Sequence, residues 1–287
     1  MELRQVEHFL AVVRHRNFTR AAREVHVVQS ALSASIRKLE ADLGAELFDR
    51  TTRRVTLTPA GEALLPPARR MIADAEAARG EIAAVAGLAR GQVSIGTIQT
   101  LTTVDLPALL GQFRGRYPAI RIHVREGTNP ILTAAVLAGE LDLSYVVSAD
   151  PLPDNLVAFA RWDQRLVLLT HPGHRLAARR RIRLAELAGE PFVDFAGSAL
   201  EDLVDRAFTG AGIRREQVCE ASHVPLLVAL VAAGLGSTVL PEAVAEQSGL
   251  PFARIVEPAL SRTIHLVGRT AEITNPAARA LLTHLLA

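Results

Sequence analysis

The sequence predicts an α+β multidomain chain: three short helices and a basic hairpin, then one long helix, then two α/β lobes. Three observations carry this. Apolar residues in the first 43 positions recur at helical spacing and then give way to alternation around an arginine-rich stretch. Thr58-Pro59 opens an unusually long run of Ala, Arg and Glu. From Gly91 onward, strand-length apolar runs alternate with helix-length segments, the pattern of parallel α/β structure. At 287 residues the chain exceeds the size that one core usually serves. Aromatics make up only 4% of it, so its cores are aliphatic.

Leu3, Val6, Phe9, Leu10 and Val13 mark the first helix. A second is expected to begin near Thr19, whose hydroxyl would cap it, with Ala21, Ala22 and Val25 on its small apolar side. In the third, Leu32, Ile36, Leu39 and Leu43 fall on one stripe, while Gln29, Ser30, Ser33 and Arg37 occupy the other face. These polar groups suit phosphates and base edges in a major groove, although a plain solvated face has the same composition. Leu47 and Phe48 anchor one short strand, and Val55 and Leu57 alternate inward on another. Between them lies the basic loop Arg50, Thr51, Thr52, Arg53, Arg54. Three helices followed by a basic hairpin is the winged helix-turn-helix plan, here residues 1–58. Arg53 and Arg54 on the wing are expected to contact backbone, and Thr58 to add a phosphate contact.

Residues 59–90 form the linker. Thr caps its helix and Pro fits the first turn without losing a needed donor. A helix over 59–89 is about 45 Å long at ~1.5 Å per residue. Leu65, Ile72, Ala75, Ile82, Val85 and Ala89 form a candidate seam whose simplest partner is the same helix of a second chain. Pro66 and Pro67 predict a kink early in it.

Within 91–287, strands are expected at 92–98, 120–126, 141–147, 165–170, 191–194, 218–221, 237–240 and 264–268. Helices are expected at 106–116, 130–138, 184–187, 200–210, 225–233, 241–247 and 276–286. Such repeats suit two lobes with a cleft between them.

Composition narrows the function classes. A net charge of +2 does not make a polybasic binder. All but one of the basic residues, Lys38, are Arg, a bias better ascribed to genome composition than to binding. One cysteine, Cys219, allows neither an internal disulfide nor a cysteine metal cluster. The first residues lack a basic-then-apolar leader pattern, and the apolar runs are too short and broken for a bilayer span. A soluble, cytoplasmic protein without membrane contact is expected. His171 and His174 lack a third ligand at metal spacing and read as structural, so no metal is expected. Gly210-Ala211-Gly212 and Gly234-Leu235-Gly236 are not dinucleotide fingerprints, and Ser198 sits in no nucleophile elbow. No catalytic residue is assigned.

In two-lobed α/β domains ligands sit at strand C-termini and helix N-termini, where free N–H groups favour anions. The candidates there are Gln99, Thr100 and Thr102 after the first strand, Thr128 before a helix, and Ser148 at a strand end. Phe195 and Ser198, then His223 and Val224, hold matching places in the second lobe. The hydroxyls could equally cap helices. Many hydroxyls and few fixed charges point weakly to a small carboxylate or polar metabolite.

Taken together, the chain resembles the LysR-type transcriptional regulators. The resemblance rests on Phe18-Thr19, Ala21-Ala22, Gln29-Ser30-Ala31-Leu32-Ser33, Leu43-Gly44, Leu47-Phe48 and Leu57-Thr58-Pro59-Ala60-Gly61. It continues through Tyr117-Pro118, Gly139-Glu140-Leu141-Asp142, His171-Pro172 and the VAAGLGSTVLP run at 231–241. It implies a winged helix-turn-helix, a dimerising linker and a two-lobed domain like a periplasmic binding protein. Lobe one would be 91–161 plus 267–287 and lobe two 162–266, with a hinge near 161–163 and 265–267. It also implies no cofactor beyond a small-molecule effector in the loops above. The implied partners are double-stranded promoter DNA, RNA polymerase and further copies of the chain, as dimer or tetramer. Two positions depart from the family pattern: Val28 replaces the Ser or Thr that caps the recognition helix, and Ala34 replaces an Arg. Arg37 or Lys38 would compensate for the latter. The other reading keeps the two lobes but makes the chain a solute-binding protein or an enzyme whose helical N-terminus only dimerises.

Overall fold

The computed structural model describes residues 1–49, 55–85, 91–148 and 152–287. In chain order the helices are α1 Leu3–His15, α2 Phe18–Glu24, α3 Gln29–Leu43, α4 Pro59–Val85, α5 Leu106–Arg116, α6 Asn129–Leu137, α7 Ala199–Gly210, α8 Val224–Ala232, α9 Glu242–Ser248 and α10 Pro276–Leu285. The strands are β1 Phe48–Asp49, β2 Thr56–Leu57, β3 Gly91–Thr97, β4 Ile120–Glu126, β5 Leu143–Ser148, β6 Val157–Leu169, β7 Arg181–Arg183, β8 Pro191–Phe195, β9 Glu216–Ala221, β10 Thr238–Pro241, β11 Phe252–Glu257 and β12 Ser261–Gly268.

The head packs α1, α2 and α3 around Phe9, Val12, Ala21, Leu32, Ile36 and Leu39, all fully buried. Phe48 of β1 closes this core against the rings of Phe9 and Phe18. β1 and β2 pair antiparallel, Phe48 opposite Leu57, as a wing requires. The loop between them, with Arg53 and Arg54, lies outside the described residues. Two local expectations need correction. α2 is capped not by Thr19 but by Asn17, whose side chain accepts from the Arg20 N–H at 3.0 Å. Phe18 thereby becomes the first helical residue. Leu43 leaves the buried stripe, 41% exposed where α3 ends at left-handed Gly44.

α4 is one continuous helix through Pro66 and Pro67. Its Ala68 is fully buried in the head core, with Leu64, Leu65 and Ile72 packed beside it. Leu65 and Ile72 therefore pack in part against this chain's own head and remain half-buried. The same helical period serves the head and a second copy. The side chains of Ile82 and Val85, and all of Ala89, lie outside the described residues.

Among the described residues, the large sheet runs β4-β3-β5-β12-β6-β11-β7, with β10 also on β6. β3 lies parallel to β4 and β5, and β12 antiparallel to β5 and β6. The separate pair β8-β9 is parallel. β6 is much longer than the strand expected at 165–170. Residues 157–165 pair with β12, whereas 166–169 pair with β10 and β11. Its first half alternates half-exposed positions, so only the fully buried Leu166, Val167, Leu168 and Leu169 stand out in the sequence. β7 and β11 are additions to the expected strands. The two lobe cores divide at this same place: Leu166 through Leu260 belong to one, and Ile264, Leu266 and Val267 to the other. Leu166 N–H donates to Leu260 O at 2.9 Å where the two crossings meet. The crossings therefore sit at 165–166 and 260–261, not at the hinges expected near 161–163 and 265–267.

Candidate nucleic-acid interface and effector cleft

Gln29, Ser30 and Arg37 are exposed on α3, and Ser33 is half-buried. The row is internally organised: Gln29 Nε2 donates to Ser33 Oγ at 2.9 Å, and Arg37 Nε to Ser33 O at 3.4 Å. Ser35 faces inward instead, 2.8 Å from Nδ1 of buried His8. Lys38 Nζ lies 2.7 Å from Glu2 at the start of α1. That hydrogen bond raises the Lys38 pKa and holds the Glu2 carboxyl below its ordinary range. A phosphate would have to displace Glu2 to use this charge. Val28 provides no side-chain cap and is 67% exposed, presenting an apolar surface at the tip of the helix. The sequence by itself marks that position only as a missing cap.

Thr58 is differently employed. Its hydroxyl donates to Glu46 O at 2.6 Å and accepts from Gly61 N–H at 3.1 Å, which caps α4 and ties it to the wing. Its one donor is thus already committed, against the expected phosphate contact. Gly61 explains the rest of that motif, since a Cβ there would collide with Leu47 O.

The expected effector residues separate into four groups. Thr128, Ser148 and Ser198 line one cavity of about 400 Å³ between the lobes, together with Asn129 and the α7 residues Glu201, Asp202 and Arg206. Ser198 also caps α7, accepting from Glu201 N–H and donating to Phe195 O. Gln99 reaches across the lobes, its Nε2 donating to Ser222 O at 3.2 Å, and exposed His223 follows at the start of α8. Thr100 and Thr102 belong to an interior network. Arg262 Nη2 donates to Thr100 O and Oγ1, Arg262 Nε to Gln164 Oε1, and Gln164 Nε2 to Thr102 Oγ1, all at 2.7–2.9 Å. Phe195 and Val224 pack in the lobe-two core and offer the cleft little side-chain surface.

No local sequence signal singles out Arg262. It is 3% exposed, and no carboxylate pairs with it among the described residues. Burial lowers its pKa to about 10. The interlobe cavity carries the fixed charges of Glu201, Asp202 and Arg206 along α7, while Arg262 lies buried beneath the Thr100 loop. His174 pairs with Glu190 at 2.8 Å, and His171 accepts from Gly173 N–H. Among the described residues no cluster could hold a metal ion, and no helix is long and apolar enough to cross a membrane.

A winged three-helix head with an outward polar row, carried on a long helix from two lobes that enclose a polar cleft, defines a ligand-responsive, DNA-binding transcriptional regulator. The comparisons with known proteins agree. Residues 3–62 match the bacterial regulatory helix-turn-helix protein, lysR family, and residues 86–287 match the LysR substrate binding domain. The chain belongs to the LysR family of transcriptional regulators. It is 32% identical over 289 residues to the uncharacterised HTH-type transcriptional regulator YybE of Bacillus subtilis, covering 100% of this chain and 98% of that one. It is 30% identical over 275 residues to the DNA-binding transcriptional dual regulator OxyR of Escherichia coli, covering 94% and 90%. Its fold is similar to a full-length OxyR variant of Pseudomonas aeruginosa, with a TM-score of 0.76 and 24% identity over 99% of this chain and 94% of that one. It is also similar to full-length CbnR complexed with its target DNA, with a TM-score of 0.68 and 26% identity over 100% and 99%.

Proposed function

We propose that α3 enters the major groove of promoter DNA and reads it with Gln29, Ser30, Ser33 and Arg37, while Arg53 and Arg54 grip the flanking backbone. The exposure of that polar row supports this most directly, because no other part of the chain covers Gln29, Ser30 or Arg37 among the described residues. Gln29 is suited to adenine and Arg37 to guanine or phosphate. Exposed Val28 is suited to a thymine methyl. Two copies, as a dimer or within a tetramer, would present paired heads, with RNA polymerase as a further partner. The chain would act in the cytoplasm, as a regulator and not as an enzyme.

The effector would sit between the lobes and alter promoter binding or bending. Buried Arg262, lacking an acidic partner among the described residues, supports a small carboxylate. The α7 residues Glu201 and Asp202 restrict where that carboxylate could lie.

The test is a gel-shift titration on the region upstream of the protein's own coding sequence. Wild type should retard it strongly at low salt. Arg37→Ala should relax base preference. Arg53→Ala should weaken all sequences and reduce the salt slope by about one. No retardation at low salt would favour the solute-binding or enzyme reading. A thermal-shift screen of small carboxylates then searches for the effector, which raises the melting point when it binds only the folded chain.

A further inference from the structure

We propose that α6 and β5, with the turn between them, form the mechanical link from the effector cleft to the DNA-binding head, and that Glu140 is its output clamp. This rests on the ligand-responsive reading above and names how that response leaves the cleft.

The unit lines the cleft at one end and meets α4, the helix that carries the head, at the other. Its cleft end is Thr128, Asn129, Val147 and Ser148, all lining the interlobe cavity. There the Asn129 side chain accepts from Val147 N–H at 2.9 Å and donates to Val147 O, stapling the start of α6 to the end of β5. α6 then runs about 13 Å through nine residues to the opposite end of lobe one. Its terminal turn is drawn onto the helix by Glu140 N–H and Leu141 N–H, both donating to Ala135 O.

The far end meets the linker helix. Glu140 holds Arg69 of α4 at 2.5 Å with one oxygen and Arg125 of β4 at 2.7 Å with the other. All three side chains are at least partly shielded, between 26% and 39% exposed, so the clamp is less screened than a surface pair. Gly139 supplies the left-handed backbone of the turn, at φ +73°, and sits in van der Waals reach of Ala73 and Arg70 on α4. Asp142 anchors the same turn to the sheet, accepting from Ser94 N–H at 2.7 Å and Asn275 Nδ2 at 2.9 Å. Beside the clamp is a cavity of about 850 Å³, bordered by Arg14 of α1, Arg69 and Ile72 of α4, and His123 and Arg125 of β4. It gives α4 and the head room to move once the clamp loosens. For a ligand to shift the population through this clamp, it must favour the arrangement with the clamp made or the one with it broken.

The test uses full-length protein and a chemical bridge in place of the effector. In a Cys219→Ser background, Ser148→Cys and Ser198→Cys are joined by a bismaleimide, and hydrogen exchange is followed at 66–75 and 128–148. Bridging should change exchange at 66–75 by about fivefold or more. Adding Glu140→Gln should abolish that distant response while preserving the response at 128–148. No change at 66–75 in bridged protein, or an undiminished change with Glu140→Gln, overturns the proposal. Gel retardation by unbridged protein is scored in parallel. Retardation without a transmitted response defeats only the link, whereas no retardation defeats the regulator reading itself.

Discussion

Arg262 Nη2 donates to both the carbonyl and the hydroxyl of Thr100, joining the strand that returns to lobe one to the loop at the lip of the cleft. The same guanidinium holds Gln164 on the other crossing strand. Both crossings between the lobes are thus tied to one loop by a single buried cation.

Replacing it should therefore be felt structurally as well as in ligand response. Arg262→Met removes the charge but leaves Thr100 O and Gln164 Oε1 without their donor. Unsatisfied buried groups cost about 1–3 kcal/mol. The expected result is a melting point lower by several degrees. A carboxylate that stabilises wild type should no longer do so in the variant. Differential scanning fluorimetry with and without that carboxylate reads both effects, and an undiminished ligand shift would remove Arg262 from the effector argument.

Gly61→Ala should damage the head more than an ordinary helix substitution. The added Cβ would collide with Leu47 O and stand 2.7 Å from the Leu57 side chain. Both belong to the hairpin region, so α4 must move off the wing. A loss of about 2–3 kcal/mol is expected, in the range of overpacked sites. Ala60→Gly, next to it, is the control. Circular dichroism melts and gel retardation of the two variants decide the point, and equal behaviour would show that the wing yields easily.

These two sites differ in how far the sequence exposes them. Leu32, Ile36 and Leu39 declare their face because a helical stripe is a local pattern, and all three are fully buried. Arg262 is not locally legible: its partner Thr100 lies 162 residues away, and only the sheet order brings them together. Leu65 and Ile72 are legible as an apolar seam but not as to what they pack on, since a helical period does not distinguish this chain's head from a second copy. Half-exposed positions hide the first half of β6. Ser30 is legible as outward-facing, and Ser33 as lying on the same row. Thr58 is legible as the cap of α4, but its tie to Glu46 O is not, because a hydroxyl committed to the backbone and one free for phosphate look the same in sequence.

Val28→Ser tests the missing cap. The Val28 backbone is already extended, as an N-cap requires, and only the side-chain acceptor is lacking. Serine should therefore stabilise the head by about 1 kcal/mol. Denaturant unfolding followed by circular dichroism should show a higher midpoint with an unchanged slope. If Val28 also meets a thymine methyl, the variant should lose preference at that base while folding better. Unchanged stability would mean that the α3 N-terminus is already satisfied by water.

His8 provides a pH test with a definite sign. It is buried beneath α3, with Nδ1 2.8 Å from Ser35 Oγ, and burial, aided by the charge of Arg4, lowers its pKa. The folded head thus prefers the neutral ring, and the unfolded chain takes up the proton first. Stability from this site is complete above the unfolded value of about 6.5 and declines as pH falls below it toward the depressed folded value. His265, also lowered chiefly by burial, adds a drop of the same sign in lobe one. Buried Asp142 and Asp194, both raised, work in the opposite direction at lower pH, because their folded forms hold protons more tightly. A His8→Gln variant separates these contributions. Between pH 7 and 5.5 its stability should fall less steeply than that of wild type, as read by urea unfolding at a series of pH values. Parallel curves would mean that His8 titrates alike in the folded and unfolded chains, and that its bond to Ser35 does not depend on the neutral ring.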